Sequence, residues 1–242
     1  MRPLVTLGVA LALGASLGAQ DPALHLVKPC PQGTHTIKTI AGCTLPGCGG
    51  VADSGLNEAK NRTDVAESTA PIMTVHDMQL IYEPTDWSTG IDRDEIASAE
   101  GTAARLIGYL KAVKKEGGET CNCGLKALAN TDVHLAIVDK KNDNESDSVT
   151  AEITPRVRRE SHPDWTFGNI KTLEGKFVRL TGWLMLDTAH VPHSHLLPGE
   201  PHLGPVNRST NWEVHPVTRF EVCGSTIANC RMGIGWKNAS FH

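Results

Sequence analysis

The chain has 242 residues, with 23 Lys and Arg against 27 Asp and Glu and a formal net charge of -4 at neutral pH. It carries no stretch dense in Lys and Arg, which disfavours nucleic acid as a partner, because sequence-independent polyanion binding is powered by many phosphate contacts.

The first segment reads as an export signal. Arg2 is followed by the apolar run Leu4 to Leu17, and the small residues Gly18 and Ala19 precede the polar Gln20 and Asp21. This charged, apolar, small order is what a signal peptidase reads. At about 16 residues the apolar run falls short of the roughly 20 a membrane-spanning helix needs. Residues 1–19 are therefore expected to be a cleaved signal peptide, and the mature domain to be secreted or periplasmic without membrane insertion.

Residues 20–100 read as an irregular N-terminal extension rich in Gly, Pro, Cys and Thr, with short helices predicted from Leu56 to Arg62 and from Asp77 to Tyr82. Seven cysteines, Cys30, Cys43, Cys48, Cys121, Cys123, Cys223 and Cys230, leave at least one unpaired. In an exported chain disulfides are the expected state. Cys43 with Cys48 and Cys223 with Cys230 are the closest pairs able to close a loop, although spacing does not fix connectivity. Thiolate ligation by Cys121-Asn122-Cys123 and Cys43-x4-Cys48 is the rival reading, but these spacings match no common zinc module.

From residue 101 the pattern turns to strands. Ala104, Leu106, Gly108, Leu110 and Ala112 alternate with polar or larger residues, a period of two that marks a strand. Val133 to Ile137 and Val149 to Ile153 give a second and a third. A helix is predicted from Trp165 to Leu173, stopped by Gly175, and further strands follow over Val178 to Leu186 and Trp212 to Val222. This β-β-β-α-β-β order is the connectivity of a five-stranded OB-fold-like Greek-key barrel. The expected fold is thus mainly β, with the barrel over residues 101–224 and a C-terminal tail over 225–242. Gly108 and Gly182 suit the strong coiling that closing a small barrel demands.

With the apolar residues assigned to the barrel interior, Asp132, His134, Thr150, Glu152, Thr154, Arg156, Glu213 and His215 fall on the outer, solvent-facing side. A symmetric hairpin between the second and third strands sets His134 opposite Glu152. The fifth strand, expected to lie against the first and third, brings Glu213 and His215 to the same surface. A second constellation, Asp187-x2-His190-x2-His193-x-His195 with His202 beyond, lies between the fourth and fifth strands. Imidazoles and carboxylates together suit a divalent metal of the zinc, copper or nickel type, with zinc the first candidate. His134, Asp187, His190 and His215 are the candidate metal ligands, and Asp132, His134, Glu152, Arg156, Glu213 and His215 the candidate binding face. Trp183 and Trp212 read as packing residues. Asn61, Asn144, Asn207 and Asn238 stand in Asn-x-Ser/Thr triplets.

The segments Gly47-Cys48-Gly49-Gly50, Cys121-Asn122-Cys123, Glu152-Ile153-Thr154-Pro155-Arg156, Thr181-Gly182-Trp183-Leu184-Met185-Leu186-Asp187-x2-His190 and Trp212-Glu213-Val214-His215-Pro216-Val217-Thr218 together resemble a group of uncharacterised exported bacterial proteins. The resemblance implies a bacterial origin and brings no activity with it. The residues point to a secreted module that binds a small or extended polar ligand, with or without a divalent metal. The alternative is a metal-dependent hydrolase of phosphodiesterase or nuclease type, in which Glu152 is the base and Arg156 stabilises the developing anion.

Overall fold

The computed structural model describes residues 37–48, 51–84, 93–187 and 208–241. The signal segment, Cys30, Asn207 and the histidines at 190, 193, 195 and 202 lie outside the described residues. In chain order the strands are β1 (Ile72–Met73), β2 (Ala103–Lys115), β3 (Val133–Val138), β4 (Val149–Ile153), β5 (Phe177–Leu186), β6 (Trp212–Cys223) and β7 (Trp236–Asn238). The α-helices are α1 (Val51–Lys60), α2 (Val75–Gln79), α3 (Pro155–Ser161), α4 (Phe167–Lys171) and α5 (Ile227–Arg231).

The hydrogen-bonded order β2-β3-β4-β6-β5 returns to β2 and closes a barrel, with β4 and β6 parallel and the other barrel pairs antiparallel. With helices between β4 and β5, this is the five-stranded OB arrangement expected from the strand order. One neighbour differs from the expectation. β6 lies between β4 and β5, and the first barrel strand closes on β5 instead of on β6.

The interior is the apolar alternation made solid: Leu106, Leu110, Leu135, Ile137, Ile153, Leu180, Trp212, Val214 and Phe220 share one buried cluster. The alternation fails in two places for the same reason. A register shift between Leu110 and Ala112 turns Val113 inward where Ala112 was expected. Shifts around Gly182 do the same in β6, so that Val217, and not Thr218, joins the core. A bulge adds one residue to one strand and reverses the parity beyond it. The two strand glycines sit where backbones approach closely. A Cβ on Gly108 would lie 2.7 Å from the carbonyl oxygen of Val138, and one on Gly182 would lie 2.3 Å from that of Pro216.

Between β4 and β5 the chain forms two helices where one was expected. Thr154 caps α3, its hydroxyl accepting from Val157 N, and Pro155 occupies the first turn. A proline there sacrifices no hydrogen bond and presets the helical φ. Thr154 and Arg156 therefore belong to a helix entry, not to a continued strand.

Over its described residues the extension is more ordered than its composition suggested. β1 pairs parallel with β2, and α2, held by a reciprocal Thr74–Asp77 capping box, buries Val75 and Met78 in the barrel core. Trp212 Nε1 donates to Tyr82 O at 2.9 Å, tying this plug to β6. The tail also folds onto the barrel: β7 pairs with β6, and Cys223–Cys230 holds α5 against Ile107 and Phe177. The N-terminal pairing differs from the sequence expectation. Cys43 bonds Cys123, 80 residues away, and not Cys48, which is itself disulfide-bonded. Among the described residues Cys121 is the free thiol, and no helix is long and apolar enough to cross a membrane.

Candidate functional site

The outer faces of β3, β4 and β6 carry His134, Thr150 with Glu152, and Glu213 with His215, and Asp132 directly precedes β3, yet water does not reach most of them. Asp132, Glu152, Glu213 and His215 are each at most 1 % exposed. α1 and the turn over residues 119–124 cover them. Asn57, Lys60 and Asn61 lie three or four residues apart and share one face of α1, and all three are buried. Asn57 Nδ2 donates to the carbonyls of Pro46 and Cys48, and Asn61 Nδ2 to those of Leu45 at 2.7 Å and Cys121 at 2.8 Å. The face expected to be open to solvent is thus a buried polar layer. Burial of Asn61 also removes its triplet as an acceptor in the folded chain.

Within the layer, β3 and β4 set His134 opposite Glu152, and the His134 Nε2 and Glu152 Oε1 atoms are in close contact. His134 Nδ1 lies 3.1 Å from Glu116 Oε1, and both side chains keep roughly a fifth to a quarter of their surface, 21 % and 25 %, so this is the open edge of the layer. His215 Nδ1 lies 3.1 Å from Glu213 Oε1 and 3.2 Å from Glu152 Oε2, while its Nε2 lies 3.7 Å from Asp132 Oδ2. Asn122 Nδ2 donates to Asp132 Oδ1 at 3.1 Å. Arg208 Nη1 meets Glu213 Oε2 at 3.1 Å and its Nη2 meets Asp187 Oδ2 at 2.7 Å. Lys60 Nζ lies 3.4 Å from Glu119 Oε1.

The structure therefore gathers Asp132, His134, Glu152, Glu213 and His215, and joins Asp187 to them through Arg208. Arg156 is engaged otherwise: its Nη2 donates to the carbonyls of Cys43 at 2.9 Å and Thr44 at 2.8 Å, holding the N-terminal segment down. Lys60, Glu116, Glu119 and Arg208 are additions that the strand pattern did not show. The polar stripe of α1 was the one available sign, since Asn57, Lys60 and Asn61 repeat at helical spacing.

Carboxylates outnumber permanent cations here, and the protonation equilibria reflect it. Burial, then the neighbouring Glu119 and Glu152 charges, pushes Asp132 well above the carboxylate range. Burial, then Glu213 and Glu119, does the same to Glu152. Burial works against the charge of Lys60, but the carboxylates, Glu119 foremost, hold its pKa well above the usual lysine value. Burial, the largest single influence, would raise Glu119, but Lys60, the hydrogen bond with Asp132, and His215 and His134 together outweigh it and lower the pKa to about 2. Burial lowers His215, which keeps the ring neutral and able to coordinate through a lone pair.

Asp132 Oδ2, Glu152 Oε2 and His215 Nε2 are buried and make no hydrogen bond. Asp132, Glu152 and His215 each offer a ligand atom, all within 4.8 Å of one another. These groups could hold a metal ion. No family model, curated protein or solved structure matched the chain in the comparisons made. The large apolar cavity, 660 Å³, lies elsewhere, between Ile40, Leu128, Trp165 and Phe167, and has none of this chemistry.

Proposed function

We propose that the protein is an exported OB-type binding module whose covered face holds a divalent cation between Asp132, Glu152 and His215. A polar ligand would approach past His134 and Glu116. The observation that carries this reading is that Asp132, Glu152 and His215, all buried, each bring a ligand atom within 4.8 Å of the others, while Asp132 Oδ2 and His215 Nε2, 3.7 Å apart, make no hydrogen bond, which costs roughly 1–3 kcal/mol per atom unless a partner is supplied. A cation between the three residues supplies that partner to both.

The surroundings support the same reading. With Nδ1–H donating to Glu213, the Nε2 lone pair of His215 faces Asp132 at 3.7 Å, compatible with two ligands each about 2 Å from one ion. Glu213, itself held by Arg208, fixes that tautomer, as outer carboxylates do for metal-bound histidines. One imidazole with two carboxylates suits zinc and neighbouring first-row ions. A hydrolase would need an anion-stabilising Arg156 and a coordination position open to substrate. Arg156 instead binds backbone carbonyls and the three ligands are buried, which favours binding over turnover.

The test is metal titration of the mature, tag-free, chelator-treated protein with zinc and with manganese, read by calorimetry. At least one equivalent is expected to bind, with affinity reduced at least tenfold in His215→Ala and roughly 10–100-fold in Glu213→Gln. If neither ion binds nor raises the melting temperature, the reading is wrong.

A further inference from the structure

A second group of ligand atoms adjoins the first. Glu119, Cys121 and Asp132 each present one, again within 4.8 Å of one another, so Asp132 is common to both groups. The turn that carries them is tightly wound: Asn122 N and Gly124 N both donate to Glu119 O, and Cys123 adopts a left-handed φ of 53°. That conformation is uncommon for a residue other than glycine. Cys123 is tied to Cys43, while Cys121, two residues earlier, stays a thiol in a chain whose other described cysteines are disulfide-bonded.

The thiol does not sit in the apolar setting usual for an inert buried cysteine. Its Sγ donates to Glu119 Oε2 at 3.3 Å, while Lys60 occupies the other oxygen, Oε1, at 3.4 Å. Asp132, in the same group, is 0 % exposed; it hydrogen-bonds Glu119 and accepts from Asn122 Nδ2 at Oδ1, while its Oδ2 is buried and makes no hydrogen bond. The thiol proton thus lies between a sulfur and a carboxylate oxygen, where an ion would take both as ligands.

We infer that Glu119, Cys121 and Asp132 form a second cation subsite, sharing the Asp132 carboxylate with the first and selective for a thiophilic divalent ion. The inference rests on the reading of this layer as a cation site. On binding, the Cys121 S–H bond breaks, the sulfur lone pair forms the bond to the ion, and the proton leaves to solvent; no oxidant or reductant is involved. Thiolate favours zinc and its cadmium and cobalt stand-ins over magnesium, calcium or manganese. Lys60 keeps its pairing with Glu119 Oε1, so the ion is placed on the Oε2 side.

Cobalt(II) titration of the chelator-treated mature protein, disulfides intact, tests this by optical absorption. Two equivalents are expected, one bringing a near-ultraviolet thiolate-to-cobalt charge-transfer band. Cys121→Ser should lose that band and one equivalent while keeping the other. His215→Ala should keep the band. Cobalt binding by the wild-type protein without the band overturns the thiol subsite and leaves the first site standing. No cobalt binding at all overturns both. A band that persists in Cys121→Ser also overturns the subsite, and because the first readings come from the wild-type protein, a poorly folded variant does not shelter the inference.

Discussion

At the level of single residues, the buried layer pulls its carboxylates in opposite directions, and each direction has a sign in stability. Glu119, lowered to about 2 because Lys60, the hydrogen bond with Asp132 and two histidines together outweigh its burial, contributes stability that is present above the ordinary carboxylate pKa and is lost as pH falls toward 2. Asp132 and Glu152, raised mainly by burial, contribute stability that is complete below the ordinary pKa and is lost as pH rises through their raised values. His215, lowered by burial, partly opposes that loss as pH rises toward the unperturbed histidine pKa. Metal-free protein is therefore expected to melt highest in mild acid and to lose stability toward neutral pH. In Glu152→Gln, the neutral-pH stability should rise by about 1 kcal/mol and the decline should flatten, while metal affinity falls. Thermal melts across pH decide it: a lower melting point for Glu152→Gln at neutral pH would mean that this carboxylate is well paired. Part of this chemistry was legible in the sequence. The symmetric hairpin gave the pairing of His134 with Glu152, and strand parity put Glu213 and His215 on one face. Glu119 and Arg208 were not legible, and Lys60 only as part of the polar stripe of α1, because they reach the layer only through tertiary packing of a helix, a turn and a loop end.

At the level of elements, the strands were readable because a barrel wall buried on one side must alternate, and the alternation broke only at bulges: a strand glycine marks the one at Gly182, whereas nothing local announces the one between Leu110 and Ala112. The missed helix is a different case. Thr154-Pro155 is a cap followed by a first-turn proline, a start signal present in the sequence but obscured by the strand running directly into it. Gly182 is where an element-level expectation can be tested hard. Its strand passes β6 so closely that an added Cβ would meet the Pro216 carbonyl oxygen at 2.3 Å and Val214 Cγ1 at 2.7 Å. The oxygen is backbone and cannot swing aside, so relief requires the two strands to separate where the barrel closes. Gly182→Ala is expected to destabilise the protein by at least about 3 kcal/mol, toward the severe end of overpacking, or to prevent folding. Gly168→Ala, in open space on α4, should be neutral or slightly stabilising in the same denaturant titration. Equal effects at the two glycines would contradict the close approach.

At the level of the whole molecule, the extension and the barrel are one structure, and neither segment announces this alone. The outer face of an OB barrel is commonly its binding surface; here α1 and the 119–124 turn lie over it, fastened by Cys43–Cys123 and by Arg156 on the Cys43 and Thr44 carbonyls. Covering a face that carries Asp132, Glu152, Glu213 and His215 removes hydration from all of them, which is unfavourable unless other partners replace water. On the proposed reading the cover does two opposed things: it strands the candidate ligand atoms, and it excludes the water that would otherwise compete for a cation. The disulfide joins positions 80 residues apart, and a closed loop of that size lowers unfolded-chain entropy by the equivalent of about 4 kcal/mol. Replacing both cysteines with alanine is expected to cost roughly 2–4 kcal/mol and, by loosening the cover, to admit water to His215 and weaken metal binding at least tenfold. Arg156→Ala should shift both quantities the same way by less, since it removes hydrogen bonds and leaves the covalent tie. The two readouts separate the roles of the cover. If stability falls while metal affinity stays at the wild-type value, the strands alone preorganise the ligands and the extension is only a staple. If both fall together, the extension is part of the site, and a barrel stripped of it would present a charged face that binds no ion.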